Sequence, residues 1–261
     1  MFDHPKLSVV GAGPGDPELI TIKAVNVLKS ASVVLYDALI NRELLDYAPQ
    51  AEHIFVGKRK GRHRYSQEEI NDLIVAYARE RGHVVRLKGG DPFIFGRGME
   101  ELEHARKHGL ETELVPGITS SIAVPANVGI SLTQREVSES FWVITGTTTK
   151  GKLSADVQLA AQSTATVVIL MGMGNLSEIV RLFSLYGKAD LPVGIIQNGT
   201  TEKERSVFGS VKNIEAIVAE TKLSAPATIV LGEVVRNRHQ LNRVLEHREF
   251  MSTYSLEKVQ A

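Results

Sequence analysis

A regular alternation of short β-type segments with helical segments constrains the fold of this chain more than any other feature. Residues 7–10 are typical of a strand and run into the glycine turn at residues 11–15. Residues 21–30 follow with apolar side chains at helical spacing. Because strand, turn and helix succeed one another repeatedly, the sequence predicts a mostly parallel sheet covered by helices on both faces.

The same pattern continues to residue 115. Further strands are predicted at residues 33–36, 54–56, 84–87 and 113–115, and helices at residues 44–47, 67–81 and 99–108. Ser66 and Glu69 form a capping-box signature at the start of the helix 67–81, and Gly82 supplies its left-handed stop. We therefore expect an N-terminal α/β domain at residues 1–115.

A segment rich in Gly, Ser, Thr and Pro at residues 116–135 is predicted to link this domain to a second one, with one short helix at 120–128. Strands are then expected at residues 141–145, 166–171, 192–197 and 227–232, with an added antiparallel strand at 204–209. Helices are expected at 176–186 and 211–220, with Asn175 and Ser210 as N-caps. The pattern predicts a C-terminal α/β domain at residues 136–242 and a polar tail at 243–261. Two α/β domains imply a cleft outside the carboxyl ends of the strands, where ligands usually bind.

Composition excludes several classes of function. The 261 residues contain no cysteine, which rules out disulfides, thiolate catalysis and cysteine-bound metals. The longest apolar runs have the length of strands, and the N-terminus lacks the apolar core of a signal peptide, so we expect a soluble cytoplasmic protein. Lys plus Arg equals Asp plus Glu at 30 each, yet residues 58–64 are strongly basic. A basic segment on a neutral chain favours a small acidic ligand over nucleic acid.

The segment from Lys88 to Glu101 is the most informative for function. It follows a predicted strand and combines four glycines with Asp91, two phenylalanines and Arg97 before a helix. Glycines allow the backbone to approach a ligand, Asp91 can accept a hydrogen bond from a ribose or an ammonium group, and the aromatic side chains can cover an apolar ligand. The earlier glycine turn does not complete a dinucleotide fingerprint, because Asp16 stands where a glycine would be needed.

Single residues elsewhere carry weaker signals. Asp37 and Lys58 end neighbouring predicted strands and suit proton transfer, although each taken alone is better explained as a solvated or paired surface charge. Arg135 suits capture of a carboxylate, or is an ordinary surface arginine. Met171 follows a strand and is either a ligand contact or core filler. His104 and His108 have metal-like spacing but no accompanying glutamate, so a structural role is preferred.

Several motifs together resemble the tetrapyrrole methyltransferases that make precursors of cobalamin and siroheme. The motifs that carry the likeness are residues 10–16 (VGAGPGD), 34–37 (VLYD), 56–59 (VGKR), 66–71 (SQEEIN), 85–101 (VRLKGGDPFIFGRGMEE), 116–120 (PGITS), 132–135 (LTQR), 171–173 (MGM) and 198–200 (NGT). They fall in the expected order over about residues 7–240. Residues 56–71 and 85–101 resemble the branch of the family that acts on uroporphyrinogen III.

This resemblance implies two α/β domains with an S-adenosylmethionine pocket between them, in a fold distinct from Rossmann-type methyltransferases. It implies a cofactor-binding set of Pro14, Gly89, Gly90, Asp91, Ile94, Thr119, Ser120, Met171 and Gly199. It also implies Asp37 as proton acceptor and Lys58 as donor, and Arg97, Glu100 and Arg135 as residues that hold or deprotonate the substrate. Arg59, Arg62 and Arg64 extend the cationic set beside Lys58 and are expected to anchor substrate carboxylates.

The expected activity is the transfer of methyl groups from S-adenosylmethionine to C2 and C7 of uroporphyrinogen III, giving precorrin-2 and S-adenosylhomocysteine. No metal, nucleic-acid or membrane partner is expected, and the family implies a homodimer. The dehydrogenase and chelatase module of siroheme synthase does not occur in these 261 residues, so we expect the reaction to stop at the methylated product. Two alternatives stay open: methylation of a later precorrin, and a non-enzymatic binder of tetrapyrroles or other polyanions.

Overall fold

A computed structural model describes residues 4–57 and 65–238 as two compact units, which divide between Ser120 and Ser121. Lys58, Arg59, Arg62 and Arg64 lie outside the described residues, and so does the predicted polar tail.

The first unit is built on a sheet of five parallel strands. These are β1 (Lys6–Gly11), β2 (Val33–Tyr36), β3 (Glu52–Phe55), β4 (His83–Lys88) and β5 (Glu111–Val115). Their order is β3-β2-β4-β1-β5, and every neighbouring pair is parallel, as the alternation of strands and helices predicts. All five carboxyl ends therefore lie along one edge of the sheet.

Helices connect these strands, with ends that the sequence specifies locally. They are α1 (Ile22–Lys29), α2 (Gln67–Arg81) and α3 (Gly98–Lys107), with shorter 3-10 turns at Pro17–Leu19 and Arg42–Tyr47. Ser66 and Glu69 form the predicted capping box of α2, and Gly82 ends it with φ = 92°. The Thr21 hydroxyl oxygen accepts from the Ala24 amide and caps α1. The capping box joins residues three positions apart, which explains why it could be predicted from sequence, whereas the Thr21 cap was not predicted.

Alternate residues of the central strands enter two separate apolar clusters, one on each face of the sheet. Leu7 and Val9 of β1 pack with α2 and α3, whereas Val10 packs with α1 and the 3-10 turn at Arg42–Tyr47. Side chains of successive strand residues point to opposite faces, so both faces of this sheet are covered. The predicted layered architecture of the first half is confirmed.

The second unit contains a mixed sheet. Its strands are β6 (Phe141–Thr145), β7 (Thr166–Leu170), β8 (Pro192–Gln197), β9 (Arg205–Ser210) and β10 (Ala227–Leu231), in the order β6-β7-β10-β8-β9. The helices are α4 (Ser120–Asn127), which begins at the division between the units, α5 (Asp156–Gln162), α6 (Leu176–Leu185) and α7 (Ile214–Thr221). The added antiparallel strand near residues 204–209 is confirmed as β9, which pairs with β8.

Four details of this unit differ from the sequence analysis. Only β6 and β7 pair in parallel, because β10 inserts antiparallel between β7 and β8. Ser210 does not cap α7; its amide donates to the Asn213 side chain, and Asn213 is the residue at the N-cap position. Asn175 stands at the start of α6, but its side chain donates to the Gly146 carbonyl instead of capping the helix. α5 was not predicted.

Within residues 4–57 and 65–238, none of the helices is both long enough and apolar enough to cross a bilayer.

Candidate functional site

The loops that follow the parallel strands of the first unit meet at the carboxyl edge of its sheet. Residues 12–16 follow β1, Asp37 follows β2, residues 89–97 follow β4 and residues 116–119 follow β5. Pro14, Gly89, Gly90, Asp91, Ile94 and Thr119 therefore lie along the same edge as Asp37, with Ser120 beginning the next helix. Carboxyl edges of parallel sheets are the usual location of ligand sites.

Close backbone contacts hold three of these loops together. Gly13 and Gly90 exchange two backbone hydrogen bonds, with N···O distances of 3.3 and 2.7 Å. A Cβ atom on Gly11 would lie 2.5 Å from the Gly117 Cα, and one on Gly117 would lie 2.4 Å from the Gly90 carbonyl oxygen. No side chain could give way, because the obstructing atoms are backbone. These glycines are required by packing between loops.

Asp91 ties the loop after β4 to the loop after β5. Its Oδ1 accepts from the Phe93 amide at 2.8 Å and its Oδ2 accepts from the Gly117 amide at 3.0 Å. Each carboxylate oxygen has a second lone pair, so Asp91 can still accept from a ligand. The carboxylate therefore has a structural function, and a role in cofactor binding would be added to it.

The segment after Asp91 presents apolar side chains to solvent from a strained backbone. Phe93, Ile94 and Phe95 are 44%, 41% and 43% exposed. Phe95 and Arg97 have positive φ values of 55° and 60°, which non-glycine residues rarely adopt. Exposed apolar side chains on a conformation that costs free energy are typical of a functional loop.

Arg97 and Glu100 form a bidentate ion pair at the start of α3. Arg97 Nε donates to Glu100 Oε1 at 2.8 Å, and Nη2 donates to Oε2 at 2.6 Å. Hydrogen bonding from Arg97 lowers the pKa of Glu100, and the same contact raises the pKa of Arg97. Both groups are charged at neutral pH, and both are half exposed. Arg97 in this pair is a poor base, since it would have to lose its proton.

A buried set of charges behind Asp37 was missed by the sequence analysis. Arg86 and Lys88 of β4 both contact Glu101 of α3, and Arg86 also contacts Asp37. The signal was present in the strand: charged residues at positions 86 and 88 alternate with the apolar Val85 and Leu87. The sequence analysis placed Glu101 in the predicted helix 99–108 without a role, whereas its side chain is fully buried in a contact with Arg86.

In the second unit, two of the expected cofactor residues lie at one edge of the mixed sheet. β6, β7 and β8 run in the same direction, because β10 pairs antiparallel with both β7 and β8. Met171 follows β7 and Gly199 follows β8, so both are at the carboxyl edge of these strands. Met171 is 51% exposed and has φ = 56°, which makes core filler the wrong alternative for it.

Gly199 is closely packed against a helix of the second unit. A Cβ atom on Gly199 would lie 2.4 Å from the Val124 side chain, so packing against α4 requires a glycine there. The residues on either side, Asn198 and Thr200, both have positive φ.

Arg135 is exposed in a turn between Gln134 and Ser138, which form an isolated bridge. The geometry leaves Arg135 accessible to an anionic ligand.

The first unit's edge fits the chemistry of an S-adenosylmethionine site. Loops closed by glycines bring backbone N–H and C=O groups to the edge, where a ribose and an amino-acid group need donors and acceptors. Gly90 has φ = 68°, and a Cβ there would be in ordinary van der Waals contact with Ser120 N at 3.8 Å and Thr119 Cα at 3.9 Å, so backbone conformation rather than crowding favours glycine at this position. Phe93, Ile94 and Phe95 present exposed apolar surface at the same edge. Among the described residues there is no group of three or more His, Cys, Asp or Glu side chains that could hold a metal ion.

Comparisons with known proteins agree with this geometry. The model of the tetrapyrrole (corrin/porphyrin) methylases matches residues 6–215. A uroporphyrinogen-III C-methyltransferase of Methanocaldococcus jannaschii is 49% identical over 233 residues, which cover 88% of this chain and 96% of that protein.

Solved structures show the same likeness. The uroporphyrin-III C-methyltransferase of Thermus thermophilus, complexed with S-adenosylhomocysteine, is 40% identical with a TM-score of 0.75, over 88% of this chain and 99% of that one. A cobalt precorrin-4 methyltransferase has a TM-score of 0.79 at 28% identity, over 89% of this chain and 96% of that one.

The family model and the similar enzymes identify the class of this protein as a methyltransferase. The chain belongs to the tetrapyrrole (corrin/porphyrin) methylase family. It is therefore an enzyme, and the alternative of a non-enzymatic tetrapyrrole or polyanion binder is set aside.

Proposed function

We propose that this enzyme transfers methyl groups from S-adenosylmethionine to C2 and C7 of uroporphyrinogen III, giving precorrin-2 and two molecules of S-adenosylhomocysteine. The observation that carries the proposal is the 49% identity, over nearly the whole of both chains, to a relative named for this activity. The precorrin-4 methyltransferase is the weaker match by identity, at 28%. Uroporphyrinogen III is for this reason preferred over a later precorrin.

S-adenosylmethionine is the proposed cofactor. The residues assigned to it are Pro14, Gly89, Gly90, Asp91, Ile94, Thr119, Ser120, Met171 and Gly199. The glycine loops supply backbone donors and acceptors, and Ile94 and Met171 supply apolar and thioether contacts. When bound, the cofactor supplies a methyl group already activated by its sulfonium centre. What remains for the protein is alignment, electrostatics and removal of a proton.

On these grounds we also propose that turnover needs no metal. Treatment with a chelator is expected to leave the rate unchanged, and a loss of activity that a divalent cation restores would contradict this.

We propose separate roles for the polar residues in this reaction. Asp37 is a carboxylate at the sheet edge and is the proposed acceptor of the proton that leaves the substrate, directly or through water. Arg97 stays protonated and Glu100 stays ionised in their pair, so this pair is proposed to orient the substrate rather than to remove its proton. Lys58 is the proposed proton donor.

Cationic side chains are proposed to anchor the substrate, which is a polycarboxylate. Arg135 is exposed and can bind a carboxylate in bidentate fashion. Arg59, Arg62 and Arg64 have the same proposed role. Substitution of Arg135 tests it: Arg135→Gln is expected to raise KM for uroporphyrinogen III with little change in kcat, because it removes binding present in both ground and transition states. A fall in kcat alone would contradict an anchoring role.

A homodimer is proposed as the functional form. The outer strand β6 carries two exposed aromatic side chains, Phe141 and Trp142, and in the described chain it pairs only with β7. Exposed aromatic residues at a sheet edge favour association. Light scattering after size-exclusion chromatography is expected to give twice the mass of one chain, and the mass of one chain would refute the proposal.

The proposed activity is tested by anaerobic incubation of the purified protein with uroporphyrinogen III and S-adenosylmethionine, with products measured by mass spectrometry. We expect the substrate to gain two methyl groups. Absence of methylation by a folded protein that binds the cofactor would contradict the proposed substrate. Precorrin-2 and later precorrins, tested in the same assay, would then identify the alternative acceptor.

A further inference from the structure

A buried charge network lies behind Asp37 and has no role in the reaction as described so far. Its centre is Glu101, whose side chain is fully buried. One oxygen of Glu101, Oε1, accepts from Arg86 Nε at 3.1 Å, from Lys88 Nζ at 2.9 Å and from Gln67 Nε2 at 3.2 Å. Three donors on one buried oxygen fix the position of Glu101 and of both cations.

The charges of the network do not balance without Asp37. Arg86 and Lys88 contribute two positive charges, and Glu101 contributes one negative charge. Asp37 supplies the second anion, since Arg86 Nη2 lies 3.4 Å from Asp37 Oδ2. Asp37 is 25% exposed, whereas the other three side chains are at most 6% exposed. The network therefore reaches solvent at the residue proposed to accept the proton.

Arg86 is a rigid link between Glu101 and Asp37. Its Nη1 donates to the backbone carbonyls of Leu87 at 2.9 Å and Leu35 at 3.4 Å, on the two paired strands β4 and β2. The guanidinium group is planar, so fixing Nε and Nη1 also fixes the direction of Nη2. The other oxygen of Asp37 accepts from the Leu39 amide at 3.1 Å, so both carboxylate oxygens are held.

Stability alone does not account for this arrangement. Apolar side chains of similar volume often stabilise a protein as well as a buried ion pair does, or better, because desolvation of the charges offsets their attraction. The cost of desolvation is visible at Lys88, where burial and the neighbouring Arg86 lower the pKa. Charged groups kept in a costly position, and directed at a reactive edge, indicate a functional constraint.

We propose that Glu101 is a positioning residue for methyl transfer, which acts through Arg86 to hold the Asp37 carboxylate in the orientation that receives the substrate proton. The inference rests on the proposed function, because Asp37 has this role only in that reaction. Glu101 is adjacent to Glu100 in sequence but has a different role, since Glu100 faces solvent with Arg97 whereas Glu101 acts from the interior.

The test compares Glu101→Gln with Glu103→Gln, an exposed residue of the same helix that undergoes the same chemical change. For Glu101→Gln we expect kcat to fall by about 100-fold, as small displacements of a reacting group can cause. KM for uroporphyrinogen III and the dissociation constant of S-adenosylmethionine should stay within about threefold of the wild-type values. Glu103→Gln should match the wild type in all three. A kcat for Glu101→Gln within about twofold of the wild type would overturn the proposal.

A double-mutant cycle separates positioning from a general structural effect. If Glu101 acts through Asp37, then Asp37→Asn combined with Glu101→Gln should have the kcat of Asp37→Asn alone, within about twofold. A structural effect on the unit as a whole would multiply with the effect of Asp37→Asn, and that result would overturn the proposal.

Arg86→Lys decides the matter if Glu101→Gln does not fold. Lysine keeps the positive charge at position 86. Its ammonium group, however, lacks the planar guanidinium geometry that contacts Glu101 and Asp37 at the same time. A fall in kcat with unchanged cofactor binding supports the proposal, and a near-normal kcat refutes it. Wild-type turnover is measured first. Its absence would refute the proposed function and with it the role of Asp37. An active wild type with equally active variants would refute only the positioning role of the buried charge network.

Discussion

Replacing Gly117 by alanine tests whether the loops of the carboxyl edge depend on backbone contact. A Cβ there would lie 2.4 Å from the Gly90 carbonyl oxygen and 2.7 Å from the Gly11 Cα. Overpacking of this kind costs about 1–3 kcal/mol. Displacement of the loop would also break the 3.0 Å hydrogen bond from the Gly117 amide to Asp91, at about 1.5–3 kcal/mol for a charged acceptor. We therefore expect the free energy of unfolding to fall by about 2.5–6 kcal/mol.

Urea unfolding followed by far-UV circular dichroism measures this loss. The single tryptophan, Trp142, lies in the second unit, so its fluorescence reports on that unit and provides an internal reference. Gly174→Ala is the matched control, because a Cβ at Gly174 would meet no atom within 4 Å. Its unfolding free energy should change by no more than about 0.5 kcal/mol. If the free energy of unfolding of Gly117→Ala falls by less than about 1 kcal/mol, the loops can move apart at little cost in stability, and backbone contact is not what holds them together.

Three further predictions concern cofactor binding, turnover and pH. Asp91→Ala should raise the dissociation constant of S-adenosylmethionine at least about tenfold, because it releases two backbone amides that shape the site; unchanged affinity in calorimetry would remove Asp91 from the pocket. Arg97→Ala should lower kcat by about 100-fold or more while cofactor affinity is preserved, and near-normal turnover would exclude Arg97 from the mechanism. Burial of Glu113 would raise its pKa, but hydrogen bonds from Lys6 and Lys23 outweigh burial and lower the pKa to about 2. Since the folded-state pKa is depressed, the stabilisation from Glu113 is present above about pH 4.5 and is lost as the pH falls to about 2. The stability difference between wild type and Glu113→Gln should shrink over that range in thermal unfolding, and a constant difference would contradict the assignment.

Local features of the fold could be predicted because their causes are adjacent in sequence. The capping box of α2 joins residues three positions apart, and Gly82 ends the same helix through its own backbone conformation. Strand positions followed from short apolar runs bounded by turns, and the resemblance to a family supplied the order of the motifs. The parallel sheet of the first unit followed from the same alternation.

Long-range pairings were not accessible in this way. Nothing in residues 227–231 indicates that β10 inserts antiparallel between β7 and β8, since strand order is set by tertiary packing. Asn175 has a side chain that is typical of an N-cap. Its side-chain amide instead donates a hydrogen bond to the Gly146 carbonyl, 29 residues away in sequence.

Glu100 and Glu101 show most clearly the difference between what local sequence predicts and what tertiary packing decides. Both were expected near a helix terminus, and the helical rotation of about 100° per residue sends one to solvent and the other to the interior.

The position of β1 in its sheet affects how the chain folds while it is being made. Among the described strands β1 is synthesised first, but its neighbours are β4 and β5, and β2 and β3 pair without it. Lys6 waits for Glu111 to be synthesised, which at about 5–20 residues per second takes roughly 5–20 s. During that interval the edge of β1 that pairs with β5 stays open, although β4 can pair with the other edge once residue 88 has been synthesised. Slowing translation before residue 111 should therefore increase dependence on chaperones, whereas a delay after residue 120 should not.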